Sequence, residues 1–195
     1  MKMMRQVMMI MMAKTHNTGA ILASLTIYNT FIYEMPQALE ASVFFGASLI
    51  ASTLADISHP ESRVGRRIRP LSTLINHRAG HRGPTHCLIS VFILALIPLI
   101  GIMLGYNIVF WGGLGFLIGQ ISHIILDLLN EPGVALLYPN KKRYRLLNFQ
   151  TGKIADHLIL MVMLGLIVWQ LSDVVVYWFM NFLENFEDLR ESFVF

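Results

Sequence analysis

Gly80-His81-Arg82-Gly83-Pro84-Thr85-His86 packs two imidazoles, a guanidinium and a hydroxyl into one short stretch. Imidazole is a common ligand for zinc and related ions, and guanidinium is the usual partner of phosphate. An apolar run begins directly afterwards, at Cys87. Polar groups this dense at the mouth of a membrane helix are costly and need a reason. Further along, His123 and Asp127 stand i, i+4 in an apolar segment and so share one helix face, as two ligands of one ion must. Asp56 and His59 stand i, i+3 at the end of another apolar segment, and His16 lies just before a third. Gathered in one place, these residue types would hold a divalent metal with an anionic group beside it.

The elements that must gather them are membrane helices. Of the 195 residues, 55% are hydrophobic and 14% charged, where a soluble domain carries roughly 25% charged residues. This predicts an all-α integral membrane bundle forming a single domain over residues 1–195. Five apolar segments, near 18–33, 41–55, 87–104, 108–129 and 157–182, are expected to span the bilayer, with polar loops at 56–86 and 130–156. The first two are shorter than the roughly 20 residues a span needs, so flanking polar residues or a locally thinned bilayer must make up the length. In the loop before the third segment, Val64, Ile68, Leu71 and Ile75 recur near helical spacing. That spacing predicts a surface-lying helix interrupted at Pro70. Gly112, Gly115 and Gly119 give the fourth segment a small face for close packing, inside the bundle or between copies. Val7 to Ala13 is too short for a signal-peptide core, and Met12 is an alternative start. The single cysteine, Cys87, excludes an internal disulfide and a multi-cysteine metal site. There is no nucleic-acid motif, and arginines beside apolar spans point to membrane lipid as the anionic neighbour.

Five spans place the N-terminus and both polar loops on one side, together with every Lys and Arg except Arg190. The other side holds Glu34, Glu40 and the acidic tail with Glu184, Glu187, Asp188 and Glu191. The positive-inside rule then sets the N-terminus in the cytoplasm and the C-terminus outside. The same assignment brings all seven histidines to the cytoplasmic side or to cytoplasmic helix ends. Asp56 and Asp127 fall at helix C-termini, where the dipole disfavours a carboxylate and a cation or arginine would offset it. Gly83-Pro84 predicts a turn that brings His81 and His86 inward. Thr85 is expected to cap the third span, whose first amides would then face an anion clamped by Arg82. Each residue also has a plainer reading: a buried polar couple for His123 and Asp127, a turn residue for His59, topology charge for Arg82, an interfacial residue for His16. His77 reads as surface and His157 as a helix-start residue.

The chain resembles the YdjM-type inner-membrane proteins, described as metal-dependent hydrolases. The matching pieces are Ala13-Lys14-Thr15-His16, Asp56-Ile57-Ser58-His59-Pro60 with Ser62 and Gly65, and the stretch from Gly80 to His86. Ser122-His123 with Asp127, and Gly133 to Pro139, follow in order. The family tends to carry Pro-Asp-x-Asp-His where this chain has Ala55-Asp56-Ile57-Ser58-His59, so a serine replaces the second carboxylate. It tends to carry Ser where this chain has Cys87.

Together these readings lead to a bundle of about five spans whose cytoplasmic mouth holds one divalent metal or two, zinc suiting the His/Asp mixture best. The expected ligands are His16, Asp56, His81, His86, His123 and Asp127, with His59 a further candidate. Arg82, Asp56 and Asp127 are the expected catalytic groups of a hydrolase acting on a lipid or lipid-linked (phospho)ester. Two other classes compete: a divalent-cation or proton transporter, which needs polar groups at mid-membrane, and a non-enzymatic protein with a structural metal or pH-sensing histidines.

Overall fold

Apolar runs bounded by Pro60 and Gly105 set the lengths of helices in the middle of the chain, because proline and a left-handed glycine end them. The computed structural model describes residues 2–31, 38–80, 82–148 and 154–192. The long helices are α1 (Lys2–Phe31) and α2 (Ala38–Leu54), the latter continued by a 3₁₀ turn, Ala55–Ser58. Two short helices follow, α3 (Arg63–Arg67) and α4 (Arg69–Ala79), then a 3₁₀ turn at Pro84–His86. The chain continues through α5 (Leu88–Leu104), α6 (Asn107–Leu129) and α7 (Ile154–Ser192). Among the described residues, three segments are long and apolar enough to cross a membrane: Ala38–Ser58, Asn107–Leu129 and Ile154–Ser172. Leu88–Leu104 is apolar but shorter.

Several expectations shift here. α1 starts at Lys2, so His16 sits in mid-helix rather than ahead of one. The surface helix of the first loop is two helices that meet at Ile68, and Pro70 stands in the first turn of α4, where its missing N–H costs nothing. His77 lies on α4 and is exposed. The loop around Glu34 and Pro36, and His81, lie outside the described residues.

α6 is the central helix and packs against α1, α2 and α5, while α7 lies along α1. The glycines decide how closely. A Cβ at Gly115 would overlap the Phe44 carbonyl, and one at Gly119 the Ser48 carbonyl. The small face of α6 is therefore spent inside the bundle, on α2. Gly101 and Gly113 give the α5–α6 crossing the same intimacy, against Phe110 and Pro98. The pairings run upward together in α2 and α6, so those helices are parallel. They run oppositely in α5 and α6, and in α1 and α2, where Ser24 Oγ donates to Ser48 Oγ at 2.8 Å.

The polarity is inside out. Buried side chains include Thr15, His16, Ser24, Ser48, Ser52, Gln120, His123 and Asp127. The exposed ones include Phe92, Met103, Met161, Val168 and Trp169. Water would not tolerate that much outward apolar surface, whereas lipid tails do. The chain is an all-helical membrane protein.

Candidate metal centre

The α2–α6 contact repeats every four residues, and its last two steps build the site. Gly115 meets Phe44 and Gly119 meets Ser48. One turn on, His123 Nδ1–H donates to the Ser52 carbonyl at 2.7 Å. One turn further, at the end of both helices, stand Asp127 and Asp56. The bond to Ser52 fixes the His123 tautomer and leaves its Nε2 lone pair facing inward, which is what a ligand imidazole needs. α1 adds His16, whose ring stacks on His123 with centroids 3.9 Å apart. The 3₁₀ turn before α5 adds His86, whose Nδ1 pairs with Thr85 Oγ1 at 2.8 Å.

Three donor atoms form a tight triangle. His86 Nε2 lies 3.2 Å from His123 Nε2 and 3.2 Å from Asp127 Oδ2; His123 Nε2 lies 3.6 Å from the same oxygen. Ligands at ~2.0–2.1 Å around a tetrahedral zinc stand about 3.3 Å apart, so the triangle has the dimensions of one face of such a shell. Asp56 Oδ1 flanks it, 3.9 Å from His86 Nε2 and 3.7 Å from His123 Nε2. His16 Nε2 approaches Asp127 Oδ1 at 3.5 Å. Two triplets, His16–His123–Asp127 and Asp56–His86–His123, have donor atoms within 4.8 Å of one another and could hold an ion. Burial pushes the His86 imidazole below its ordinary value despite the nearby Asp127 carboxylate, which favours the uncharged ring that a metal ligand must be. Among the described residues, Asp127 Oδ2 is a buried acceptor with no hydrogen bond of good geometry. Buried acceptors converging on one point need a cation, so the residues present fit a metal.

Arg82 crosses into the same place. Its Nη2 donates to Asp127 Oδ1 at 2.6 Å, and both side chains are almost wholly buried. Its backbone is left-handed (φ 59°), a conformation costing an ordinary residue about 1–2 kcal/mol. The expected cap is corrected: Cys87, not Thr85, holds the N-cap position of α5, because Pro84 draws Thr85 into the 3₁₀ turn. The first amide of α5 does not face the site either, since Leu88 N–H donates to the Leu136 carbonyl at 2.9 Å.

His16, Asp56, His86, His123, Asp127 and Arg82 are thus brought together. His59 is not in either triplet; its Nδ1 accepts the Glu61 N–H at 3.1 Å and its carbonyl the Ser62 N–H at 2.9 Å, which makes the turn below α2. That turn has its own supports. Ser62 Oγ donates to the Asp56 carbonyl at 2.9 Å and accepts the Gly65 N–H at 2.9 Å, and any Cβ at Gly65 would overlap the His59 carbonyl. His157 is exposed on the first turn of α7. Sequence reasoning overlooked Gln120, which holds the heptad's turn by donating to the Thr85 carbonyl. It also overlooked the link from Thr15 Oγ1 to Asp156 Oδ1 at 3.0 Å, which ties α1 to α7 beside His16. An amide in an apolar span was the available signal for Gln120.

Comparison with known proteins agrees with this picture. The family described as YdjM inner membrane protein matches residues 11–184. Inner membrane protein YdjM of Escherichia coli (strain K12) is 35% identical over 125 residues, 63% of this chain and 64% of its own length. Its Shigella flexneri namesake matches to the same extent. Uncharacterized protein YvsG of Bacillus subtilis (strain 168) is 35% identical over 151 residues, 77% of this chain and 88% of its own. The chain thus spans about 64% of the length of the YdjM relatives it matches. No solved structure matches it significantly. With a family match over most of its length, this chain belongs to the YdjM inner membrane protein family.

Proposed function

We propose that this chain is a metal-dependent hydrolase embedded in the inner membrane, acting at the cytoplasmic face on an ester of a membrane lipid or lipid-linked group. The triangle of His86 Nε2, His123 Nε2 and Asp127 Oδ2 carries the reading, because its 3.2–3.6 Å edges suit a small transition-series ion. Zinc fits the His/Asp donor set. His123 has already given its Nδ1–H to Ser52, so its single remaining lone pair serves one ion, which favours one metal per chain. Such an ion, when bound, lowers the pKa of a water and polarises an ester oxygen.

The chain's own residues supply the rest. His86, His123 and Asp127 hold the ion. Asp56, with a side chain 26% exposed, is the one carboxylate of the cluster open to solvent, and it accepts the proton of the attacking water. His16 stacks against His123 and keeps its ring in place. Arg82 stabilises negative charge as it develops on the ester oxygens. The site's position at the ends of α2 and α6 puts it where lipid headgroups meet the cytoplasm, if the basic loops lie inside as the positive-inside rule requires.

A second reading has one observation behind it. His86 and His123 are fully buried, as ligands of a structural metal usually are. Elemental mass spectrometry of detergent-purified protein is the first test, with wild type beside His123→Ala. About one zinc per chain in wild type, absent from the variant, is the expected result. No metal in either after reconstitution would overturn the proposal. Metal that cannot be stripped without unfolding, with no ester turned over, would shift it to the structural reading.

A further inference from the structure

Arg82 carries more donors than its one ion pair uses. Its side chain is 97% buried, given a relative exposure of 3%, yet among the described residues only Nη2 has a partner. Nε and Nη1 are buried without one. They lie on the two edges of the guanidinium fork, one on each side of the nitrogen held by Asp127. A buried donor left unmet is costly, and here two are left unmet on a charged group. An anion would meet these donors and offset the guanidinium charge.

From this we infer that Arg82 and the metal together form a phosphoryl subsite, so the substrate is a phosphoester rather than a carboxylic ester. This rests on the metallohydrolase reading above and narrows it. A carboxylic ester offers one uncharged carbonyl oxygen and can meet one of the two free donors. A phosphoryl group offers several charged oxygens in a tetrahedron, enough for one to face the ion while another meets a free donor of Arg82. The Arg82–Asp127 bond holds the fork against the ligand that carries Asp127 Oδ2, so the anion and the ion share one carboxylate as their common wall. The same chemistry is found in free phosphate and in a phosphomonoester headgroup.

The test titrates inorganic phosphate into zinc-loaded protein in detergent, by calorimetry, with wild type beside Arg82→Lys. Lysine keeps one cationic donor for Asp127 and removes the fork. Phosphate is expected to bind wild type and to bind Arg82→Lys about ten-fold to a hundred-fold more weakly, the worth of charge-assisted hydrogen bonds, with zinc content unchanged. Equal binding by both proteins would overturn the subsite. If the variant does not fold, wild type alone decides. Phosphate and sulfate should raise its unfolding temperature while planar acetate does not, and no rise with either tetrahedral anion would show that water fills the donors and overturn the proposal. Mixed micelles containing phosphatidic acid, compared with diacylglycerol micelles, separate the sources. Displacement of phosphate by phosphatidic acid at far lower concentration assigns a lipid headgroup; equal concentrations assign free phosphate, and either supports the subsite. Arg82-dependent phosphate binding by a protein that takes up no metal would overturn both the hydrolase and the metal's share in the subsite, leaving an anion site on Arg82 alone.

Discussion

At the scale of single residues, Asp127 is the most heavily committed group among the described residues, meeting Arg82, His16, His86 and His123. Asp127→Ala leaves the Arg82 charge buried and unpaired, and is expected to cost about 3–5 kcal/mol of stability, read by unfolding in detergent. Adding Arg82→Met should recover part of that loss, since an apolar side chain of similar length needs no partner. A single-variant cost near zero would mean that the pair does not form. His123 and Asp127 could be recognised in the sequence because their spacing alone puts them on one helix face. The Ser52 carbonyl that sets the His123 tautomer could not, because every residue has a carbonyl and only packing selects one. Thr85 misled for a related reason. Its residue type suits a cap, but the proline before it tightens the backbone into a 3₁₀ turn and passes the cap position to Cys87.

At the scale of elements, the site depends on how deeply α6 sinks into α2. Gly119→Ala places a methyl group against the Ser48 carbonyl and should cost at least about 1–3 kcal/mol, and it should lower metal content by displacing His123 and Asp127 together. Gly46→Ala on α2, where an added Cβ meets nothing, is the control and should leave metal content unchanged while gaining up to about 1 kcal/mol from helix propensity. If both variants behaved alike, the close crossing would not be what assembles the site. Apolar periodicity was enough to find α2, α5 and α6 almost to their ends. It could not say whether the glycine face met a neighbouring helix or another copy, because small residues serve both. It also hid the break at Ile68, where Pro70 begins a helix rather than ending one.

At the scale of the whole molecule, charge placed both basic loops at one end, and the parallel run of α2 and α6 brings both helix ends to that end. A reporter at the C-terminus tests the orientation. Alkaline phosphatase fused there should be active and a fluorescent protein dark; the reverse would put the site on the outer face. The sequence could also not foretell that α1, α2 and α5 all pack on α6, since which helix becomes central follows from shape complementarity rather than from hydropathy. The repeat of Phe44, Ser48 and Ser52 against Gly115, Gly119 and His123 has a mechanical consequence. It behaves as a rack with teeth about 6 Å apart, four residues at about 1.5 Å each. Between teeth, carbonyls would strike the flanks of the notches, so α6 cannot creep along α2 by fractions of a turn. The ligands riding on its last turn cannot spread to suit a larger guest. Calcium, which draws its oxygens to ~2.3–2.6 Å and wants six to eight of them, would have to jam the rack to enter. Stiffness, as much as the choice of imidazole, is what would let this fold prefer a small ion.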